Sequence, residues 1–393
     1  MAVLRKKNGR LDLKKMTALG MFESRYHTLL GRSTPLVITN TRANATVSPM
    51  TGLEVAANTV DSLTRGRTTA VFSRAGYTTL VPEDVENDWA IPAGVSVSSP
   101  SAGIYEIDIT TGNRVNYDAT TVAANEYIFT FAVKRGTATD IKTKVFDLIG
   151  VAEVDFTINN GGTVSGPTSI YTLTNSDDYV TIDIRFTAPD TSTRVYLVAS
   201  NDAGTIFVKC PRMALGTVRM VPVPVGSAAG YVTNADLLQA PPSWPTSGTL
   251  VAAVRPYYWT GGDNPVSAIG ARFWNANNNF IGFFPGRPTM TGSGAFPQLI
   301  FQAGEAVLDA VNVMSFDYDG ANIGGRWEDV SRITLAETDS PTGALYLLNH
   351  PLAQHSFHGL GVFPFFPWVL SDAEYAIVRQ GLQADWGGFA WVA

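Results

Sequence analysis

Apolar and polar residues alternate along five short runs between residues 103 and 198. In these runs about every second residue is apolar, as in a strand whose sheet buries one face. Glycine, asparagine and aspartate separate them, as turns between antiparallel strands require. The pattern predicts an antiparallel β-sandwich over residues 82–225. Its strand candidates are Gly103–Ile109, Glu126–Val133, Val151–Ile158, Tyr179–Phe186 and Arg194–Val198.

A second group of apolar runs fills residues 248–393, and they recur about every eight to fourteen residues, as strands of a sandwich do. The segment with clear helix signals is Leu370–Gln380, where Ser371 and Glu374 form a capping box and Gly381 follows the end. Proline-dense residues 226–247 read as a linker. We therefore predict an all-β protein with two consecutive antiparallel β-sandwiches of the jelly-roll type and one short C-terminal helix.

The amino-terminal residues 1–81 have few periodic segments and an excess of positive charge. Asp12 and Glu23 are the only acidic residues among the first 32. One interpretation is an arm that contacts an acidic partner, and the other is a solvated, partly ordered tail. Such a segment is expected to gain order by packing on a neighbour. Its first 32 residues contain Arg5, Lys6, Lys7, Arg10, Lys14, Lys15, Arg25 and Arg32.

Composition narrows the function classes. The net charge of -6 argues against a domain built mainly for nucleic acid, which needs clustered basic residues. A single cysteine, Cys210, excludes an intramolecular disulfide or a cysteine-based zinc cluster, and it is expected to be a buried structural thiol. No apolar run reaches membrane-spanning length, and Leu4–Leu13 is charged, so we expect no membrane span, no secretory leader and folding in a reducing cytoplasm.

The central block resembles the jelly-roll, carbohydrate-binding-module-like domains of phage tail and fibre proteins. The resemblance lies in the strand Glu126–Lys134 and in the late strand from Ile206 that leads into the turn Pro211–Gly216. The last block resembles concanavalin-A-like or laminin-G-like lectin domains. Its resembling residues are the opening strand Thr249–Arg255, the strand Val313–Gly320, the late strand Gly343–Leu348 and the closing segment Leu370–Glu374.

Together the two resemblances imply a virion protein of a tailed phage, assembled in the host bacterial cytoplasm. The location on a tail fibre, a neck or collar appendage, or the capsid stays open. The implied role is docking through residues 1–81, with Arg5, Lys6, Lys7, Arg10, Lys14 and Lys15 as attachment candidates, and display of lectin-like sandwiches to the host surface. Partners would be other virion proteins, a host glycan and further copies of the chain. Phage appendages are commonly trimeric, so a trimer is among the options.

Aromatic residues and amides near residue 260 are candidates for a glycan site on a predicted loop. Sugar rings pack their C–H face on aromatic rings, while carboxylates and amides bind the hydroxyls. The alternative is that these rings belong to the core or anchor a neighbouring subunit. The candidates are Tyr257, Tyr258, Trp259, Asp263, Asn264 and Trp274.

Asp317 and Asp319 are two residues apart in one predicted strand, so their side chains share a face and are candidate calcium ligands together with loop carbonyls. No other cofactor is expected. The alternative is a strand-ending turn. His350, His355 and His358 are close in sequence but lack a metal-binding spacing, so a histidine-containing loop is expected.

Catalysis is not expected, and no catalytic residues are proposed. The sequence has no Gly-x-Ser-x-Gly nucleophile elbow, and its carboxylates show no pairing that sequence alone reveals. Two alternatives to the adhesive role remain: a polysaccharide depolymerase, and a purely structural decoration protein that binds no glycan.

Overall fold

The structure is a computed structural model of the 393-residue chain. It describes residues 13–74, 76–109, 114–138, 141–147, 153–158, 164–165, 170–174, 179–188, 190–198, 203–216, 220–240, 244–259, 268–273, 280–284, 287–291, 298–300, 307, 310–336, 344–348 and 357–389. No helix within these ranges is both long enough and apolar enough to cross a bilayer.

Short β-strands dominate the described residues, and three helices accompany them. The helices are α1 (Leu13–Leu30), α2 (Val85–Asp88) and α3 (Asp372–Trp386). The strands up to residue 135 are β1 (Thr39–Thr41), β2 (Thr46–Val47), β3 (Glu54–Val55), β4 (Ser62–Arg65), β5 (Thr68–Ser73), β6 (Tyr77–Thr78), β7 (Val95–Ser101), β8 (Ile104–Ile109), β9 (Val115–Thr120) and β10 (Glu126–Arg135).

The remaining strands continue in chain order to the last helix. Those before residue 260 are β11 (Ile141–Asp147), β12 (Glu153–Ile158), β13 (Val164–Ser165), β14 (Ile170–Thr174), β15 (Val180–Thr187), β16 (Ser192–Val198), β17 (Gly204–Leu215), β18 (Val232–Thr233), β19 (Leu237–Ala240) and β20 (Gly248–Trp259). Those after it are β21 (Ala268–Phe273), β22 (Phe280–Phe284), β23 (Arg287–Thr291), β24 (Gln298–Ile300), β25 (Asn312–Tyr318), β26 (Asn322–Trp327), β27 (Val330–Ala336), β28 (Leu345–Leu347), β29 (Phe357–Val362) and β30 (Phe365–Phe366).

The chain forms two compact units. The terminal unit contains Met1–Asn40, Ser62–Ser73 and Leu237–Phe389, and the central unit contains Thr41–Asp61, Arg74–Asp236 and the last four residues. Of the described residues up to 81, residues 13–40 and 62–73 belong to the terminal unit, whereas residues 41–61, 74 and 76–81 belong to the central unit. The passage between Asp236 and Leu237 lies within the predicted linker, and β18 and β19 both lie in that linker.

The central unit is a sandwich of a six-stranded sheet, in the order β14-β15-β10-β17-β8-β7, and a five-stranded sheet, in the order β13-β12-β11-β16-β9. Neighbouring strands pair antiparallel. Apolar side chains from both sheets form one core, as the alternation predicts. From β10 this core takes Tyr127, Phe129, Phe131 and Val133, and from β16 it takes Val195 and Leu197.

The terminal unit also has two antiparallel sheets. One follows the order β1-β19-β28-β21-β22-β23-β24, and the other follows β27-β26-β25-β20-β29-β5-β4, with β30 paired to β20. Every residue of β25 is buried, on both faces of its strand. Helix α3 explains part of this burial, because Tyr375 is buried and its hydroxyl donates to the Val313 carbonyl at 3.1 Å. The all-β prediction is confirmed.

The capping box of the last helix is confirmed, since the Ser371 side chain accepts from Glu374 N and the Glu374 side chain accepts from Ser371 N. The predicted end at Gly381 is wrong, because α3 continues to Trp386. Gly381 is a packing position instead: a Cβ there would lie 2.4 Å from the Tyr26 ring. Glycine thus permits α1 to approach α3 closely.

Helix α1 corrects the prediction that the amino-terminal segment is irregular. Its last turns pack into the terminal unit, where Tyr26, Leu29 and Leu30 are buried. The Tyr26 hydroxyl donates to Asp385 Oδ2 at 2.9 Å. The local sequence of α1 has only weak helix signals. The helix forms because residues at the other end of the chain pack against it and stabilise it.

Candidate binding face

The predicted glycan-binding residues do not lie on a loop where the structure describes them. Tyr257, Tyr258 and Trp259 belong to β20, and Trp259 pairs with Phe357. Their side chains lie outside the described part, as do Asp263, Asn264 and Trp274 entirely. This glycan site therefore stays a prediction, with its first three residues at the end of a strand.

The geometry does not support calcium at Asp317 and Asp319. Asp317 is buried and its Oδ2 accepts from Arg326 Nη1 at 3.0 Å, while its Oδ1 accepts from Arg332 Nε at 2.7 Å. Arg332 Nη2 also lies 4.0 Å from Asp319 Oδ2. The two aspartates do face one cation, as the alternation predicts, but that cation is an arginine.

Asp319 forms a turn in the way the alternative interpretation requires. Its Oδ1 accepts from the backbone N–H groups of Ala321 at 3.0 Å and Asn322 at 2.7 Å. These bonds favour the charged carboxylate and lower the pKa of Asp319. No cluster of three or more His, Cys, Asp or Glu side chains suited to a metal ion occurs within the described ranges.

Other predicted residues are only partly placed. Lys14 and Lys15 lie in α1, with side chains outside the description, and Arg5, Lys6, Lys7 and Arg10 lie wholly outside it. His358 is in β29, whereas His350 and His355 are outside the described ranges. Cys210 is half-buried with a φ of +53° at a β-bulge of β17, so the thiol is less buried than expected.

The structure reveals a polar face that the sequence analysis missed. On the six-stranded sheet of the central unit, the side of β10, β15 and β17 away from the apolar core carries buried polar side chains. Burying a polar group costs free energy unless it is hydrogen-bonded, so several buried polar side chains on one face mark a candidate functional site. We call this set the polar face; it consists of Thr130, Thr181, Asp183, Lys209 and Arg212, each no more than 6% exposed.

Strand register arranges the polar face in two rows. In the first, Thr130 stands between Asp183 and Arg212, and the Thr130 hydroxyl donates to Asp183 Oδ1 at 2.9 Å. In the second, Ala132 stands between Thr181 and Lys209. Ala132 has the shortest side chain in the two rows, and the longer polar side chains of Thr181 and Lys209 lie on either side of it.

Cationic groups on this face are held in place. Lys209 Nζ lies 4.1 Å from the centre of the Tyr179 ring, within cation–π range. Arg212 donates from Nη1 to the Cys210 carbonyl at 2.6 Å and from Nη2 to the Met220 carbonyl at 3.0 Å. The face therefore combines a carboxylate acceptor, hydroxyls and positive donors in fixed positions.

The signal for this face was present in the sequence. The run Tyr179–Phe186 alternates apolar residues with Thr181, Asp183 and Arg185, and Thr130 interrupts an apolar run in Glu126–Val133. The alternation shows which residues share a face, but it gives neither the pairing of β10 with both β15 and β17 nor the burial of the polar side.

A buried carboxyl that has no cationic partner among the described residues lies elsewhere in the central unit. Glu83 is buried, and its Oε2 accepts from the Tyr105 hydroxyl at 3.0 Å and from Gly226 N at 2.8 Å. Burial raises the pKa of Glu83, and the nearby Asp84 adds to this shift. The Glu83 carboxyl thus links the turn at Gly226 to Tyr105 of the sandwich through hydrogen bonds.

Comparison with known proteins finds no matching protein family and no matching curated protein. Among solved structures, domain 4 of AbnA, a GH43 extracellular arabinanase from Geobacillus stearothermophilus in complex with arabinotriose, is 11% identical over 37% of this chain and 73% of that chain, with a TM-score of 0.31. The LG1-3 region of the laminin alpha2 chain is 8% identical over 69% and 63%, with a TM-score of 0.28. The CBM22 tandem domain of Paenibacillus barcinonensis Xyn10C is 10% identical over 74% and 98%, with a TM-score of 0.25. Such low identities and TM-scores carry no argument about function.

Proposed function

We propose that this chain is a structural component of a bacteriophage particle. It docks through its amino-terminal segment and presents its two sandwiches for adhesion to host-surface glycans, without catalysing a reaction. The observation that carries the adhesive role is the polar face of the central unit. Assignment to a phage particle is supported by the resemblance of the two sequence blocks described above.

The residues that carry the resemblance form the middle of each sandwich. Strand β10 lies between β15 and β17 in the central unit, and β20 lies between β25 and β29 in the terminal unit. Two sandwiches per chain, repeated over many copies on a particle, suit binding events that are individually weak.

The docking role is supported by the anchoring of helix α1. Tyr26 packs on Gly381 and bonds Asp385, so the carboxyl end of α1 is fixed within the terminal unit. The basic residues Lys14 and Lys15 are in the first turn of the same helix, and the further attachment candidates directly precede it. A fixed helix gives the basic segment a defined starting point for contact with an acidic virion surface.

The adhesive role follows from the chemistry of the polar face. Sugar hydroxyls both donate and accept hydrogen bonds, so they can replace the internal partners of the acceptor Asp183 and of the donors Lys209 and Arg212. Hydrogen bonds in such a water-poor setting are stronger than at an open surface. Because the side chains are buried, we expect slow association, since a ligand must displace the residues that cover them.

The test is retention of the purified chain on immobilised host-surface polysaccharide. Asp183→Asn is expected to lower affinity at least tenfold, because it removes the acceptor charge at unchanged size. Asp118→Asn is the matched control, since Asp118 lies on β9 of the other sheet and is exposed. Circular dichroism and the unfolding temperature establish that both variants fold.

Three outcomes contradict parts of the proposal. Equal retention of wild type and Asp183→Asn removes the polar face from the binding role. Absence of any retention favours a decoration protein that binds no glycan. Release of reducing ends from the polysaccharide favours a depolymerase.

A further inference from the structure

Three arginines lie around the carboxyl end of helix α1 in the terminal unit. Arg32 lies two residues after the end of the helix, and Arg65 and Arg67 flank Gly66 at the turn between β4 and β5. The Arg67 guanidinium packs against the residue before Arg32, because a Cβ at Gly31 would lie 2.8 Å from Arg67 Nη1. We call Arg32, Arg65 and Arg67 the arginine face.

Rings and carbonyl groups hold these arginines. The Arg32 guanidinium lies 4.5 Å from the centre of the Trp368 ring, and that of Arg65 lies 4.5 Å from the centre of the Phe389 ring. Arg67 Nη1 donates to the His27 carbonyl at 3.3 Å. Each contact fixes a guanidinium while leaving most of its five N–H donors for other partners.

None of the three arginines forms an ion pair with a carboxylate in the part of the chain that the structure describes. Elsewhere in that part, Arg74 and Arg326 are each paired with two aspartates. The acidic residues on the neighbouring helices have other partners or lie apart from the three arginines. On α3, Asp372 pairs with Arg326, Glu374 accepts from Ser371 and the Asp385 carboxylate accepts from Tyr26. On α1 the acidic residue is Glu23. The face therefore carries uncompensated positive charge in a fixed arrangement.

This arrangement matches a carboxylate-bearing sugar polymer. A guanidinium fork binds a carboxylate through two parallel hydrogen bonds, and ordering it beforehand lowers the entropic cost of binding. The half-buried Trp368 beside Arg32 adds an aromatic surface suited to the C–H face of a pyranose. Repeated uronic acids along one chain would engage more than one arginine at once.

We infer that the arginine face binds acidic polysaccharide, with Arg32 and Arg67 contacting carboxylates and Trp368 supporting a sugar ring. The inference rests on the proposed adhesive function and specifies its ligand as a uronic-acid glycan. It places this contact in the terminal unit, separate from the polar face of the central unit.

The probe is polygalacturonate, compared with its carboxyl-reduced form, in a biolayer binding assay with the full chain. We expect binding to polygalacturonate only, and a loss of at least tenfold in the double variant Arg32→Gln/Arg67→Gln. Arg25→Gln is the matched control, because Arg25 is an exposed arginine on α1 that is not part of the arginine face. It should change affinity less than twofold. Trp368→Leu should weaken binding at unchanged charge, which general electrostatic attraction does not predict.

Equal binding of the carboxyl-reduced polymer, or an unaffected double variant, overturns the inference. An Arg25→Gln loss as large as that of the double variant also overturns it, since general attraction of charge then suffices. If the chain binds neutral host glycans through Asp183 but not polygalacturonate, adhesion stands and this inference falls. If it binds neither, both fall.

Discussion

Asp236 joins two buried arginines in the central unit, and its replacement by asparagine is expected to cost about 3–5 kcal/mol of stability. Asp236 Oδ1 accepts from Arg42 Nη1 at 2.5 Å, and Oδ2 accepts from Arg74 Nη1 at 2.9 Å and from Arg74 N at 3.0 Å. The fourth member, Asp61, accepts from Arg74. The group has two positive and two negative charges, and no more than 3% of any member is exposed.

The magnitude follows from what asparagine leaves behind. It keeps the size of the side chain but removes one of the two negative charges. Asp61, which pairs with Arg74, is then the one carboxylate left in the group for two buried guanidiniums. Removal of one partner from a buried ion pair costs about 3–5 kcal/mol, whereas an exposed pair contributes about 0–1 kcal/mol. Asp118→Asn provides that comparison, because Asp118 accepts from Arg194 Nε at 2.5 Å and Nη2 at 2.7 Å with side chains 44% and 32% exposed.

Hydrogen exchange measured by mass spectrometry resolves the central unit from the terminal unit, which a single unfolding curve of a two-unit chain does not. Peptides from β10 should show an opening free energy lower by about 3–5 kcal/mol in Asp236→Asn and by less than about 1 kcal/mol in Asp118→Asn. Equal losses in the two variants would refute the reasoning that burial sets the cost.

Three further predictions concern a carboxyl, a glycine and calcium. Because burial raises the pKa of Glu83, its contribution to stability is present at low pH and is lost as the pH rises through the folded-state pKa. The unfolding temperature of Glu83→Gln should therefore rise relative to that of the wild type between about pH 4 and about pH 8. A difference in unfolding temperature that does not change with pH would contradict this. Gly381→Ala should cost about 1–3 kcal/mol and increase hydrogen exchange in α1, because its Cβ would meet the Tyr26 ring, whereas Gly388→Ala, with nothing within 4 Å, should be neutral. A chelator should leave the unfolding temperature of the terminal unit unchanged, since Arg326 and Arg332 neutralise Asp317; a drop restored by calcium would reverse the interpretation.

Local sequence predicted the strands well, because alternation reports which side of a strand is buried. Tyr127, Phe129, Phe131 and Val133 alternate as core residues should, and all four lie in the core. The capping box at Ser371 is equally local, since its partner is three residues away.

Long-range contacts were beyond the sequence. Helix α1 depends on Tyr26 meeting Asp385, 359 residues later, and the ion-pair group depends on Arg42 meeting Asp236, 194 residues later. No periodicity encodes such a contact. For the same reason Asp317 and Asp319 suggested calcium, because no local pattern indicates that Arg332 lies against them.

Within one sheet, the polar face likewise combines a local pattern that the sequence shows with long-range contacts that it does not. The sequence places Thr181 and Asp183 on one side of a strand, but only the pairing with β10 brings Thr130 to Asp183. The three arginines at the end of α1 likewise gather from two parts of the chain.

The central claim is best tested by cryo-electron microscopy of the native particle from which the chain derives. We predict density for two sandwiches, with the amino-terminal segment (residues 1–81) in contact with a portal, collar, tail or capsid protein. The arginine face and the residues that cover the polar face should lie on the outside of the particle. A particle that lacks this density would contradict the assignment, as would one in which the arginine face and the residues covering the polar face both lie against other virion proteins.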